Sequence, residues 1–97
     1  MKHLSEILHS ESIISFTASH DPEVRALTYD SRAVERGDCF FAVSGTQVDG
    51  HNFIESAVGA GAVAVVCERL PEKLHDEVCY VVLSDTNKAM ADIAAAF

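Results

Sequence analysis

Positive charge is scarce in this chain. Seven Lys and Arg residues stand against 15 Asp and Glu, which leaves a formal charge of -8 over 97 residues. General nucleic-acid binding needs clustered basic residues to displace counterions from phosphates, so nucleic acid is not an expected partner. The same shortage argues against docking on an anionic membrane surface. Long hydrophobic runs are also missing. No apolar stretch approaches the roughly 18 residues that a transmembrane helix needs. The opening MKHLSEILHSES has one Lys and early acidic residues, and lacks the basic start and continuous apolar centre of a secretion signal. A cytoplasmic location is expected. A single phosphorylated small molecule stays possible, because backbone N–H groups and one or two hydroxyls can hold one phosphate.

Signatures of chemistry are missing as well. There is no GxxxxGK[ST] phosphate loop, no GxGxxG fingerprint and no GxSxG elbow. Gly59-Ala60-Gly61 ends a helical pattern instead of joining a strand to a helix, so it reads as a cap. His3, His9, His20, His51 and His75 fall at no zinc-binding spacing. Cys39, Cys67 and Cys79 each sit in an apolar run (CFFAV, AVVCE, VCYVV) and read as small hydrophobes in buried strands. Their odd number and the cytoplasmic reading disfavour disulfides. The carboxylates are scattered over turns and helix faces as solvated charge. No catalytic residue and no metal site is therefore expected.

What is present is the pattern of one α/β domain. Apolar residues make up 48% of the chain, enough for a real core. Residues 3–10 fit a short helix with Leu4, Ile7 and Leu8 on one face. Ile13 to Ser19 fits a short strand, and His20-Asp21-Pro22 a turn. Glu23 to Tyr29 alternates as a single strand, stopped by Asp30-Ser31-Arg32. Ala33 to Arg36 forms a short turn closed by Gly37. Asp38 to Val43 suits a central strand buried on both faces. After the loop Gly45 to Gly50, with Asp49 as a helix cap, Phe53, Ile54, Ala57 and Val58 recur at helical spacing. Gly59 and Gly61 end that helix, and Ala62 to Cys67 is a second buried strand. Strand, helix and strand make a right-handed βαβ unit with parallel strands. Glu68 to Glu77 reads as a loop with a helical turn, and Val78 to Leu83 as a further buried strand. Ser84-Asp85-Thr86 offers caps for a helix over Lys88 to Phe97, with Met90, Ile93, Ala94 and Phe97 on one face. No stop signal follows Ala94-Ala95-Ala96-Phe97, which points to a chain cut from something longer or to a helix leading into a next domain. The expected fold is a three-layer α/β domain with a mixed, mostly parallel sheet of about five strands flanked by helices.

The functional expectation rests on Leu27 to His51, where two strands end in small polar residues. In α/β sheets ligands sit outside such ends. Ser31 lies where one strand ends and Thr46-Gln47 where its neighbour ends. Together they offer hydroxyls, an amide and free backbone N–H groups, suited to a neutral polar ring or a phosphate. The alternative is an ordinary turn, with Asp30 accepting local N–H bonds and Arg32 pairing with it.

Asp30-Ser31-Arg32, Gly37-Asp38, Phe41-Ala42, Gly45, Asp49-Gly50-His51, Phe53-Ile54, Ala57 and Gly61-Ala62 together resemble the N-terminal domain of the Mur ligases. The likeness runs over essentially the whole chain. Two members of that family share the pattern: the ligase that adds the third amino acid to the UDP-muramoyl peptide and the one that adds the terminal dipeptide. LTYDSR, GTQVDGH and AVVCERLP look more like the first. The resemblance implies one N-terminal domain, residues 1–97, holding the UDP end of UDP-N-acetylmuramoyl-L-alanyl-D-glutamate. It implies contacts from Tyr29, Ser31, Thr46, Gln47 and Val48, with Asp30 and Arg32 as struts. It also implies a separate central domain that supplies ATP and Mg2+ for amide-bond formation through an acyl phosphate, in peptidoglycan synthesis, and a C-terminal domain that binds the incoming amino acid. The rival readings are the dipeptide-adding ligase and a non-catalytic module that reuses the domain.

Overall fold

The computed structural model describes residues 2–8, 13–17, 21–43 and 49–96. Its centre is a five-stranded sheet of β2 (Ile13–Thr17), β4 (Leu27–Thr28), β5 (Cys39–Phe41), β6 (Ala64–Cys67) and β7 (Cys79–Leu83), in the order β2-β7-β6-β5-β4. β4, β5, β6 and β7 run parallel to one another, and β2 closes one edge antiparallel to β7. A small antiparallel pair, β1 (Lys2–His3) with β3 (Glu23–Val24), stands beside this sheet.

Alternation along the central strands builds two cores. Cys39, Phe41, Ala64, Val66, Cys79, Val81 and Leu83 face one side and pack with Leu4, Ile7 and Leu8 of α1 (Leu4–Leu8) and Ala89 of α3 (Thr86–Ala96). Phe40, Ala42, Val65, Cys67, Tyr80 and Val82 face the other side, against Ile54 and Ala57 of α2 (Ile54–Gly59). Successive strand residues point to opposite faces, so continuous apolar runs are what a doubly covered strand requires. The expected three-layer, mostly parallel fold is therefore the observed one. β5, α2 and β6 form the expected parallel crossover.

Some boundaries differ from expectation. Residues 23–29 form two short strands instead of one. Val24 pairs with β1, then the chain switches partner: the Arg25 N–H donates to Gly37 O at 2.8 Å and Ala26 O accepts from Cys39 N at 2.9 Å. The change is anchored by Asp38, 1% exposed, whose carboxylate accepts from Arg25 Nε at 2.8 Å, Arg25 Nη2 at 3.1 Å and Glu35 N at 2.9 Å. Alternation could not reveal that a strand changes sheets midway. Residues 68–78 contain no helix or strand. Helix α3 starts at Thr86, with Asp85 accepting from Lys88 N at 3.0 Å, and it buries Thr86 and Ala89 beside the partly buried Met90. The expected contributions of Ile93, Ala94 and Phe97 lie outside the described side chains.

The three cysteines are buried and free, as expected. Burial pushes the Cys67 thiol up to about 11 and raises Cys39 and Cys79 as well, so they act as apolar groups. At the opposite end from the strand tips, Gly61 has φ +116, and a Cβ there would lie 2.7 Å from Arg36 Cα. Its carbonyl accepts from Gly37 N at 2.9 Å, so the two turns fit closely. Gly61→Ala is expected to destabilise the protein by about 2–3 kcal/mol, through strain at positive φ plus the clash, as read by urea unfolding.

Candidate functional site

Parallel strands leave their carboxyl ends at one rim, and a cleft of about 870 Å³ opens there beside β4 and β5. It is lined by Tyr29, Asp30, Ser31, Arg32, Val43, Gly50, Phe53 and Ser56. The turn after β4 supplies the first wall. Thr28 Oγ1 accepts from Asp30 N at 3.1 Å, and Asp30 Oδ1 accepts from Arg32 N at 2.9 Å and Arg32 Nε at 3.1 Å. The Arg32 guanidinium and amide hold the Asp30 carboxyl below its ordinary range. These are the bonds that an ordinary Asp-Ser-Arg turn makes, and the turn sets Ser31, its middle residue, at the cleft.

The second wall comes from the end of β5 and the segment that follows residues 44–48. Gly50 N donates to Val43 O at 2.8 Å, and a Cβ on Gly50 would lie 2.7 Å from Val43 N. Only glycine lets the two backbones approach this closely. Asp49 caps a 3₁₀ turn over Gly50–Phe53 by accepting from His51 N at 3.0 Å, as the sequence predicts. That turn has about 3.0 residues per turn instead of about 3.6, which alters the helical face. Ile54 and Ala57 enter the core as expected, but Phe53 is 39% exposed and lies in the cleft. Its apolar character hid it among core candidates.

Tyr29 and Ser31 thus line one cleft, together with Val43 and Gly50, which flank residues 44–48. Thr46, Gln47 and Val48 lie outside the described residues. Of the other cleft residues, the sequence reading placed Phe53 on the helical face and did not single out Ser56. Tyr29 is 66% exposed, so this cleft holds two of the large apolar side chains that the domain leaves open to solvent. Two partly exposed aromatic side chains and a serine lining one cleft suit a flat ring bearing polar atoms. Among the described residues, no group of His, Cys, Asp or Glu is placed to hold a metal ion, and no helix is long and apolar enough to cross a membrane.

The Gly50–Phe53 turn also takes part in a polar network that the sequence did not disclose. His51, with a side chain 4% exposed, puts Nδ1 2.8 Å from Asp49 Oδ1 and accepts the Glu68 N–H at Nε2, at 2.9 Å. The other oxygen of Asp49 accepts from Arg69 Nη2 at 2.6 Å. Glu68 Oε2 accepts from Thr86 N at 3.0 Å and lies 3.1 Å from Thr86 Oγ1, which also reaches Ala42 O at 3.1 Å. These contacts join the ends of β5, β6 and β7.

The Arg69 guanidinium, with smaller contributions from the His51 amide and ring, holds the Asp49 carboxyl far below its ordinary range. A folded pKa below the unfolded one gives stability that is present above the unfolded value and lost progressively as pH falls from there through the folded value. Asp49→Asn is therefore expected to be less stable than the parent at pH 7. The gap should narrow as pH drops from about 5 toward 2, as read by denaturant titration.

The model of the Mur ligase family, catalytic domain, matches residues 23–97. Two curated relatives are similar. The UDP-N-acetylmuramoyl-L-alanyl-D-glutamate–2,6-diaminopimelate ligase of Bacteroides fragilis is 42% identical over 94 residues, which are 97% of this chain and 19% of that protein. The enzyme of the same name from Chlorobaculum tepidum is 49% identical over 74 residues, 76% of this chain and 15% of that protein. Among solved structures, MurF from Acinetobacter baumannii superposes with a TM-score of 0.70 at 27% identity, over 90% of this chain and 18% of its own. MurF from Thermotoga maritima in complex with ADP gives a TM-score of 0.64 at 30% identity, over 75% of this chain and 16% of its own. The chain thus spans about a fifth of the curated relatives it matches most fully.

Proposed function

The chain belongs to the Mur ligase family, and from that premise we propose that it is the N-terminal, uridine-nucleotide-binding domain of the cytoplasmic ligase that adds the third amino acid to UDP-N-acetylmuramoyl-L-alanyl-D-glutamate in peptidoglycan synthesis. The observation that carries the reading is the cleft at the tips of β4 and β5, where Ser31 stands between the exposed aromatic rings of Tyr29 and Phe53 in sequence and all three line one surface. The rings offer faces for the uracil, and the Ser31 hydroxyl offers a donor and an acceptor for its polar edge or for the ribose. Thr46, Gln47 and Val48 complete the proposed contact set. The preference for the third-residue ligase over the dipeptide-adding ligase is supported by the relatives' names: 42% identity over 94 residues to a diaminopimelate ligase, against 27% and 30% to the two MurF structures.

In this reading the domain binds and orients, and the reaction occurs elsewhere. ATP and Mg2+ are assigned to a central domain of the full-length protein, as the family resemblance implies. They supply the activation of the substrate carboxylate for amide formation. The contribution of this chain is to fix the uridine end, so that the far end of the substrate reaches that chemistry at a defined distance.

In the full-length protein, Ser31→Ala should raise KM for the UDP-muramoyl dipeptide roughly five- to tenfold, the loss of one directed hydrogen bond. KM for ATP should stay within about twofold. Steady-state kinetics with each substrate varied in turn decides it. Equal effects on both constants would contradict a uridine-site role for Ser31.

A further inference from the structure

We propose that His51 is a positioning residue for the cleft: by accepting the Glu68 amide it pins the turn carrying Gly50 and Phe53 to the end of β6, and so governs how tightly the cleft holds its nucleotide. This rests on the uridine-site reading above. The imidazole is 4% exposed, and both of its nitrogens are engaged. Because Nε2 accepts a backbone N–H, it carries no proton; Nδ1 therefore carries one and donates it to Asp49 Oδ1. The ring is a neutral, single-tautomer bridge with a donor at one end and an acceptor at the other. Neither a lysine nor an apolar ring could fill both places.

The bridge matters because of what stands on each side. On one side, the Gly50–Phe53 turn forms a wall of the cleft. On the other, Glu68 is tied through its carboxylate to Thr86, and the Thr86 hydroxyl reaches Ala42 O, one residue before Val43 in the same cleft. His51 thus closes a circuit that holds one piece of the cleft in register with the next. A parallel tie, Asp49 to Arg69, involves a guanidinium whose side chain is 60% exposed, and solvent screens it. The buried tie through Nε2 sets the turn's position more firmly.

The test uses the full-length protein with UDP-N-acetylmuramoyl-L-alanyl-D-glutamate as the varied substrate. His51→Phe should raise KM for that substrate roughly tenfold, with kcat and KM for ATP within about twofold. His51→Gln, whose amide oxygen reaches the Nε2 position and can accept the Glu68 N–H, should recover most of the loss. His51→Asn reaches only toward Asp49 and should not. A merely structural role would lower thermal stability in all three variants without this ordering of KM. Nitrogen-15 spectra of the unaltered protein should show the proton on Nδ1; a proton on Nε2 would overturn the proposal. With Ser31→Ala measured alongside, an unchanged KM in His51→Phe beside a raised KM in Ser31→Ala overturns the positioning role alone. Unchanged KM in both overturns it together with the cleft assignment. Should His51→Phe fail to fold, equal KM values for the Gln and Asn variants would overturn it.

Discussion

Regular hydrogen bonding ends where β4 to β7 end, and that rim is where the domain must find other partners for its backbone. Buried N–H and C=O groups left without partners cost about 1–3 kcal/mol each, so the rim is stable only if side chains take the places of missing strands. They do so here in a fixed arrangement. His51 takes the Glu68 N–H, Glu68 takes the Thr86 N–H, and the Thr86 hydroxyl reaches Ala42 O. Among the described residues, no buried side-chain nitrogen or oxygen lacks a partner. The cleft depends on this, because its walls are the segments that these bonds hold.

The motifs that mark the family acquire physical reasons in this light. In Asp30-Ser31-Arg32 the outer residues bond to each other, and the middle one is left at the cleft. Gly37-Asp38 starts β5, with a positive φ at the glycine and a buried carboxylate that fastens Arg25 and the preceding turn. Asp49-Gly50-His51 divides three tasks among three residues: a cap, a close backbone approach and a buried bridge. Gly61 lets its turn fit against Arg36. Most of the pattern therefore encodes how the rim and the opposite turns are built. Only a small part of it lines the cleft.

That division explains what could be read from the chain beforehand. Continuous apolar runs at Cys39, Ala64 and Cys79 announced strands buried on both faces, and the three-layer fold followed from them. Helix α1 was legible from Leu4, Ile7 and Leu8, and Asp49 from its place before a helical pattern. The switch of strand partner at Arg25 was not legible, because it depends on Asp38, thirteen residues away, and alternation carries no sign of it. Phe53 was read as core because helical periodicity assumes about 3.6 residues per turn throughout, and a 3₁₀ turn precedes α2. The bonds from His51 to Glu68 and from Glu68 to Thr86 join residues far apart in sequence, and no local pattern signals them.

The central claim is that the cleft at the tips of β4 and β5 receives the uridine end of a UDP-muramoyl peptide. A crystal structure of the full-length protein with UDP-N-acetylmuramoyl-L-alanyl-D-glutamate bound tests it most directly. The account predicts the uracil against Tyr29 and Phe53, with a polar atom of the nucleotide within hydrogen-bond distance of the Ser31 hydroxyl. A nucleotide bound away from this rim, with Ser31 still facing water, would contradict it.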